Sequence, residues 1–319
     1  MTGIDTHFQR MLAEEAEIAR KQPRLPVGGL PVQMVRAGYK ARRHQQDLSP
    51  PDDVDALDLQ VLGGAGHRPA RLYTPRTAEP RSALLVYFHG GGFVLGDLDT
   101  HDGHCRRLAA GADLRVLAID YRLAPENPFP AAHDDALAAT LWAFEHAADL
   151  GADPTLIAVG GDSAGGNLAA SVACSLDEER GCRLALQLLL YPVIWPEEET
   201  ASRRDLDGPV LTRDALAWFD ACLAARGHAQ SGRALLGGRT SRTPALVVTA
   251  GHDPLKDEGR AFAEHLARTG VAVEHVEFPA MIHDFFLMPD VSPAVGTVVS
   301  ETTEALRRAL ARPHTGSDR

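Results

Sequence analysis

The chain has 319 residues, of which 45% are hydrophobic, and its formal net charge at pH 7 is −11. This length could hold one large α/β domain or two smaller ones, and the acidic balance disfavours nucleic acid or an anionic membrane as a partner. The sequence lacks a run of about 18 apolar residues that would span a membrane, an apolar secretory signal and any CxxC pair. We therefore expect a cytoplasmic protein with reduced cysteines.

Two polar-faced helical patterns open the chain, at 6–20 and 30–43, and the prolines at 50–51 mark the entry to the main domain. Eight strand-like runs follow, at 56–62, 68–74, 83–88, 115–119, 156–159, 184–190, 245–249 and 272–277. Helical patterns, such as 131–150, fill most gaps from the third run onward. This alternation predicts a mostly parallel sheet with helices on both faces, and the glycines at 63–66 predict an antiparallel edge hairpin.

One segment, 195–234, breaks the alternation. It contains one good helical pattern, at 214–226, with Thr212 or Asp214 as its N-cap. The sequence is accordingly divided into N-terminal helices at 1–50, a main α/β domain at 51–194 and 235–319, and an insertion at 195–234.

A Gly-x-Ser-x-Gly motif around Ser163 lies between an apolar run at 155–159 and a helical pattern at 167–173. Glycines on both sides of the serine permit a tight strand-to-helix turn that exposes the hydroxyl as a nucleophile. The N-terminus of the following helix would supply amide N–H groups where an oxyanion forms.

A second motif, the His-Gly-Gly-Gly-Phe stretch at 89–93, follows the strand-like run at 83–88. Three glycines without side chains let backbone amides approach a ligand closely, which suits the second half of an oxyanion hole. A flexible glycine turn beside a structural histidine is the alternative interpretation.

A serine hydroxyl needs a base to take its proton, and the base needs a carboxylate to orient it. Asp253 follows the run at 245–250 and an apparent turn at 251–252, and His283 lies just past the run at 271–276. The order serine, aspartate, histidine is that of α/β-hydrolases, and all three residues lie beyond the carboxyl ends of predicted strands. Asp257 is a second candidate for the acid, but it falls within a helical pattern.

These motifs resemble those of the hormone-sensitive-lipase-like esterase family of α/β-hydrolases, from about Leu62 onward. Besides the two motifs and the segment around His283, the matching stretches are 120–126, 129–132, 190–192 and 253–259. The resemblance implies an α/β-hydrolase fold with an eight-stranded, mostly parallel sheet. It also implies that 1–50 and 195–234 together form a helical cap over the active site.

The resemblance assigns roles to individual residues. It implies Ser163 as nucleophile, His283 as general base and then acid, and Asp253 as the carboxylate that orients the histidine. It implies an oxyanion hole made by three backbone N–H groups, those of Gly91, Gly92 and Ala164. Candidate substrate-binding residues are Phe93, Leu211, Trp218 and Phe219. For Trp218 and Phe219, packing of the cap helix onto the domain is an equally good interpretation.

Two residues depart from the family pattern. Asp284 stands where members of the family often have glycine, directly after the histidine. We hypothesise that its carboxylate favours the imidazolium and raises the pKa of His283. His252 stands beside Asp253, where an aromatic or small residue is commoner, and is interpreted as a turn residue.

The remaining polar residues of the motifs are interpreted as structural. His89 is expected to brace the glycine loop, and His101, His104 and His133 are expected at the surface or as satisfied structural histidines. A charged loop anchor beside the site is expected from Asp120, Arg122 and Glu126. No cluster has zinc-site spacing and no glycine run fits the dinucleotide motif, so neither a metal nor another cofactor is expected.

The sequence therefore predicts a serine carboxylesterase acting on small-molecule esters with short or medium acyl chains. Hydrolysis of amides, carbamates or lactones at the same site is an open alternative, as is a non-catalytic small-molecule receptor on the same fold. A chymotrypsin-like protease is disfavoured, because its histidine and aspartate precede the serine. A homodimer through the last strand and helix is suggested by the resemblance alone.

Overall fold

The structure is a computed structural model that describes residues 3–22, 26–177, 182–194, 199–224 and 241–311. Its strands are β1 (Val54–Gly63), β2 (Gly66–Pro75), β3 (Ser82–Phe88), β4 (Arg115–Ile119), β5 (Ala152–Asp162), β6 (Leu186–Leu190), β7 (Ala245–His252) and β8 (Val273–Ile282). The α-helices within the described ranges are α1 (Thr6–Lys21), α2 (Val32–Gln46), α3 (Asp102–Ala112), α4 (Ala131–Glu145), α5 (Ala164–Asp177), α6 (Ala201–Asp205), α7 (Arg213–Leu223), α8 (Lys256–Arg268) and α9 (Pro293–Ala309).

All eight strands belong to one sheet, in the order β1-β2-β4-β3-β5-β6-β7-β8. β1 and β2 form an antiparallel hairpin that closes at Gly63 and Gly66, and β2 also pairs antiparallel with β4. From β4 onward, every pair of neighbouring strands is parallel. The predicted eight-stranded, mostly parallel sheet with an edge hairpin is confirmed.

Helices cover both faces of the sheet. In β3, Leu84 and Val86 belong to the same buried cluster as residues of α4, α5 and α8, whereas Leu85 and Tyr87 belong to the cluster that includes residues of α3 and α9. Successive side chains of a strand point to opposite faces, so a strand that is covered on both sides must be apolar along its whole length. The continuous apolar run in β3 meets that requirement.

Several element ends differ from the sequence prediction, and β8, for example, continues to Ile282 rather than ending at 277. β5 continues to Asp162, beyond the predicted end at 159, because its last residues stay paired with β6. β7 continues to His252, which pairs with Ile282 of β8, so the predicted turn at 251–252 is wrong. α4 ends at Glu145 rather than at 150, because the chain turns there to enter β5.

The described part of the predicted insertion contains α6 and α7. The hydroxyl of Thr212 accepts a hydrogen bond from the N–H of Ala215 at 3.1 Å, so Thr212 rather than Asp214 is the N-cap of α7. The end of the predicted helix, at 225–226, and the segments 195–198 and 227–234 lie outside the described residues. The domain boundaries at 1–50, 51–194, 195–234 and 235–319 stay predictions.

Helix α2 is fastened beside the glycine loop by Arg36. Its guanidinium donates to the carbonyl oxygens of Val94 at 2.8 Å and Ala124 at 2.9 Å, and it pairs with Glu126 at 2.7 Å. These contacts hold α2 at the carboxyl end of β3, where the motif at 89–93 begins. Of the helices in the described ranges, none is both long and apolar enough to cross a membrane.

Candidate active site

Ser163 lies at a sharp turn between β5 and α5. Its φ of 53° is in the left-handed region, which is strained for a residue with a side chain. A Cβ atom on Gly165 would run into the carbonyl of Phe88, and one on Gly161 would run into the backbone of Gly165. The turn therefore needs both glycines of the motif, and it holds Ser163 with its N–H bonded to the carbonyl of Leu190 at 2.8 Å.

Three predicted site residues meet at the carboxyl end of the sheet. The Oγ of Ser163 lies 3.0 Å from Nε2 of His283, and Nδ1 of His283 lies 2.7 Å from Oδ2 of Asp253. The other carboxylate oxygen of Asp253 accepts the N–H of Leu255 at 2.8 Å, which fixes its orientation. All three side chains are buried. The structure thus brings together a hydroxyl, an imidazole and a carboxylate from the ends of β5, β8 and β7.

The electrostatic surroundings of His283 favour its protonated form. Burial alone would lower the pKa of His283, but the carboxylates of Asp253 and Asp284 outweigh burial and raise the pKa to about 9. Oδ1 of Asp284 lies 3.4 Å from Nε2 of His283, and its other oxygen pairs with Arg43 of α2. This geometry agrees with the hypothesis that Asp284 raises the pKa of the histidine.

The glycine loop has a backbone that requires glycine. Gly91 and Gly92 have φ values of 107° and 62°, and a Cβ atom on Gly91 would run into the carbonyl of Leu95. Ala164, the third predicted oxyanion donor, is the first residue of α5. Among the described residues, none accepts a hydrogen bond from the N–H of Gly91, Gly92 or Ala164. This absence is compatible with the oxyanion hole that the sequence predicts.

Asp162 connects the nucleophile turn to the glycine loop, a role that the sequence analysis missed. Its Oδ1 accepts the N–H of Gly90 at 2.9 Å and the hydroxyl of Tyr87 at 2.7 Å. Burial opposes its charge, but His101, with Nε2 at 3.4 Å, helps hold the pKa of this carboxyl well below its usual range. Its position in the sequence could have predicted this role. A carboxylate at the end of a buried strand needs hydrogen-bond partners, and the glycine motif follows the neighbouring strand.

The four histidines that the sequence analysis interpreted as structural, His89, His101, His104 and His133, are all buried. Nδ1 of His89 lies 2.8 Å from the carbonyl oxygen of Gly90, and its ring stacks on Tyr121, which agrees with the expected brace. His104 contacts the hydroxyl of Tyr87 and His133 contacts Asn167. They are buried, so the surface alternative for His101, His104 and His133 is wrong. Within the described ranges, no group of three or more His, Cys, Asp or Glu could hold a metal ion.

The other charged candidates make contacts away from Ser163. Asp257 lies on α8, where its Oδ2 accepts the N–H of Ser202 at 2.8 Å. Arg122 forms a two-pronged pair with the buried Asp135 of α4, with contacts of 2.9 Å. The expected anchor at Asp120, Arg122 and Glu126 is therefore divided: Arg122 binds α4, whereas Glu126 binds α2.

Two cavities meet at Ser163, and they differ greatly in size. A small cavity of about 20 Å³ is lined by Gly92, Phe93, Ser163, Val193, Arg203, Leu211, Leu216, Phe219, Asp220 and Leu223. A cavity of about 430 Å³ shares Gly92, Ser163, Leu211 and Phe219 with the small one, and it also includes His283, Asp284, Trp218 and residues of α2. Of the four predicted substrate-binding residues, Phe93 lines the small cavity, Trp218 lines the large one, and Leu211 and Phe219 line both.

The sheet and the site at its edge define the class of the protein, an α/β-hydrolase. Residues 85–287 match the family model described as alpha/beta hydrolase fold. Carboxylesterase NlhH of Mycobacterium tuberculosis is 42% identical over 280 residues, which cover 84% of this chain and 88% of that protein. Ethyl acetate hydrolase of Pseudomonas putida is 40% identical over 265 residues, or 80% of this chain and 81% of that protein.

Solved structures agree with this assignment. A hyperthermophilic esterase from the archaeon Pyrobaculum calidifontis superposes with a TM-score of 0.87 at 34% identity, over 97% of this chain and 100% of that chain. The chain therefore belongs to the hormone-sensitive-lipase-like esterase family of α/β-hydrolases.

Proposed function

We propose that the protein is a serine carboxylesterase that works through an acyl-enzyme on Ser163 and accepts a short acyl group. The observation that carries this proposal is the unbroken line from Ser163 Oγ through His283 to Asp253, with contacts of 3.0 and 2.7 Å. The broader class rests on the relatives: the chain is a carboxylic ester hydrolase, like the carboxylesterase and the ethyl acetate hydrolase that it resembles.

In the proposed mechanism, His283 takes the proton of Ser163 as the oxygen attacks the ester carbonyl. Asp253 keeps Nε2 directed at the serine and stabilises the imidazolium that forms. The negative charge on the carbonyl oxygen is stabilised by the N–H groups of Gly91, Gly92 and Ala164. His283 then returns the proton to the leaving alcohol, and a water molecule hydrolyses the acyl-enzyme by the same base.

The position of His283 supports a proposal for which cavity binds the acyl group and which binds the alcohol. The leaving oxygen must receive its proton from Nε2 of His283, so the alcohol lies on the side of Ser163 that the histidine faces. That side is the large cavity, which His283 lines, whereas His283 does not line the small cavity. The acyl group then occupies the small cavity, and the alcohol occupies the large one.

The small cavity restricts the acyl chain to a few carbons. A cavity needs roughly 10–15 Å³ of this kind of volume to hold one water molecule, so about 20 Å³ leaves room for little more than a methyl group. Two charged residues, Arg203 and Asp220, line the same cavity. A longer alkyl chain would bring apolar atoms against these charged side chains, which favours a short acyl group.

The proposal is tested by steady-state hydrolysis of p-nitrophenyl acetate and of unactivated alkyl acetates by the wild type and Ser163→Ala. We expect Ser163→Ala to keep the far-ultraviolet circular dichroism of the wild type and to lose about 10⁴- to 10⁶-fold in turnover. Arg20→Met, at an exposed position of α1, is the control and should leave turnover unchanged. Retained turnover in Ser163→Ala would identify another nucleophile, and inert wild type would favour the receptor interpretation.

Three expectations from the sequence extend this proposal. We propose a cytoplasmic location, a helical cap formed by 1–50 and 195–234, and a homodimer through β8 and α9. Sedimentation velocity gives the oligomeric state directly, and a monomer at micromolar concentration would contradict the dimer.

A further inference from the structure

The nitrogen of His283 that serves Ser163 has a second neighbour. Nε2 lies 3.0 Å from Oγ of Ser163 and 3.4 Å from Oδ1 of Asp284. The second distance is slightly longer than an ordinary N–H···O hydrogen bond. A small rotation of the Asp284 side chain would close that gap, and the carboxylate would then compete with the serine for the same nitrogen. A histidine held between two carboxylates is stabilised as an imidazolium, which cannot accept the proton of Ser163.

Arg43 of α2 binds the other oxygen of Asp284, the one that does not face His283. Nη2 of Arg43 pairs with Oδ2 of Asp284, and both side chains are almost completely buried. The guanidinium is itself held in place, because Nη1 donates to Oε1 of Gln46 at 3.1 Å and the ring of Tyr39 lies 4.7 Å away. A buried arginine without a partner is costly, so this pair has to be considered as one unit.

We propose that Arg43 is a positioning residue for ester hydrolysis: it holds the Asp284 carboxylate away from Nε2 of His283, so that the imidazole can serve Ser163. The inference rests on the proposed roles of Ser163 and His283. It goes beyond them because it assigns a role in the reaction to an N-terminal helix that is 240 residues away from the histidine in the sequence.

Other groups around His283 do not replace Arg43 in this role. Asp253 binds Nδ1, on the opposite side of the ring, and Asp162 lies at the end of β5 and adds negative charge. Tyr191 after β6 and Tyr39 on α2 are buried, and burial raises the pKa of both phenols, so they stay neutral. Arg43 therefore supplies the positive charge that faces Asp284.

The backbone conformation at Asp284 indicates that an aspartate at this position is costly, which supports a role for its pair with Arg43. Asp284 has a φ of 65°, in the left-handed region that favours glycine. A glycine here would avoid both the backbone cost and the competing charge. Because Arg43 belongs to α2, which also lines the large cavity, the availability of the base depends on α2 lying in place.

The test is the acidic limb of kcat/KM against pH for hexyl acetate, which reports the pKa of the base in the free enzyme. Arg43→Met should move this limb upward by about one pH unit, as expected when a nearby countercharge is lost. The value of kcat/KM at pH 7 then falls about tenfold, while the plateau at high pH is retained. Arg43→Lys should restore the limb to within half a unit of the wild type, and Arg20→Met should leave it unmoved.

A second pair of variants shows whether Arg43 acts through Asp284. Asp284→Gly should move the acidic limb to lower pH. The double variant Arg43→Met with Asp284→Gly should have its acidic limb at the same pH as Asp284→Gly. An unmoved limb in Arg43→Met, or an equal upward shift when Asp284 is absent, overturns the inference. If Arg43→Met does not fold, the comparison of Asp284→Gly with the double variant decides, and a difference above half a unit overturns it.

Failure of the proposed function would look different. In that case either the wild type would be inert, or Ser163→Ala would keep its turnover. If the enzyme is active and depends on Ser163, but Arg43→Met does not move the acidic limb, only the inference about Arg43 is contradicted.

Discussion

Two isomeric esters that differ only in which side carries the long chain can test which cavity at Ser163 binds the acyl group and which binds the alcohol. Hexyl acetate and ethyl hexanoate have the same atoms, but the first presents a short acyl group with a long alcohol and the second presents the reverse. In the proposed assignment, hexyl acetate places its acetyl group in the cavity of about 20 Å³ and its hexyl group in the cavity of about 430 Å³. Ethyl hexanoate must force four additional carbons into the small cavity.

The size of the preference follows from the two cavities. Four additional methylenes in the large cavity would gain about 3 kcal/mol if fully buried, and roughly half of that in a cavity open to solvent. Forcing them into the small cavity costs about 1–3 kcal/mol by overpacking. The sum, about 2.5–4.5 kcal/mol, corresponds to roughly 10²- to 10³-fold in kcat/KM.

The assay is kcat/KM for the two isomers by pH-stat titration, in the wild type and two truncation variants. Leu216→Ala enlarges only the small cavity and should raise kcat/KM for ethyl hexanoate by about tenfold or more. Met34→Ala is the matched control, because this exposed residue lines only the large cavity. It should leave ethyl hexanoate unchanged. Equal rates for the two isomers in the wild type, or a preference for ethyl hexanoate, would refute the assignment of the cavities.

Two further predictions concern stability. Asp135→Ala should lower the free energy of unfolding by about 3 kcal/mol, because it leaves Arg122 without its buried partner. Glu126→Ala should lower it by less than about 1 kcal/mol, because its ion pair is half-exposed. Urea unfolding compares the two variants, and equal losses of stability would contradict the prediction. Burial lowers the pKa of His89 and His133 to about 4 and that of His104 to about 3. As the pH drops below about 6.5, these histidines therefore become protonated in the unfolded chain before they do so in the folded protein. The free energy of unfolding then falls by at most about 1.4 kcal/mol per pH unit for each histidine. Thermal unfolding between pH 7 and 4 measures this slope, and it should become shallower in His133→Gln.

Local patterns predicted the sheet and the residues at its edge. The apolar runs that became β3 and β5 and the glycines around Ser163 have short-range causes, namely burial on both faces and a turn that excludes a Cβ atom. Chain order then placed Asp253 and His283. The end of β7 was predicted wrongly, because pairing of His252 with Ile282 is a tertiary contact that no local signal reports.

Long-range polar contacts were the part that the sequence did not reveal. Arg43 and Asp284 lie in different elements at opposite ends of the chain, and no local signal pairs the arginine with the aspartate. The bonds from Asp162 to Gly90 and Tyr87 depend on the neighbouring positions of β3 and β5 in the sheet. The difference in size between the two cavities depends on how α2 and α7 pack, which hydrophobic periodicity does not specify.

The most direct test of the central claim is to trap the acyl-enzyme and locate it. The wild type is quenched in acid during turnover of p-nitrophenyl acetate, and peptide mapping by mass spectrometry then finds the modified residue. We expect one acetyl group on Ser163 in the wild type and none there in His283→Ala, which lacks the base. An acetyl group on another residue that accumulates and decays at the rate of turnover would contradict the account.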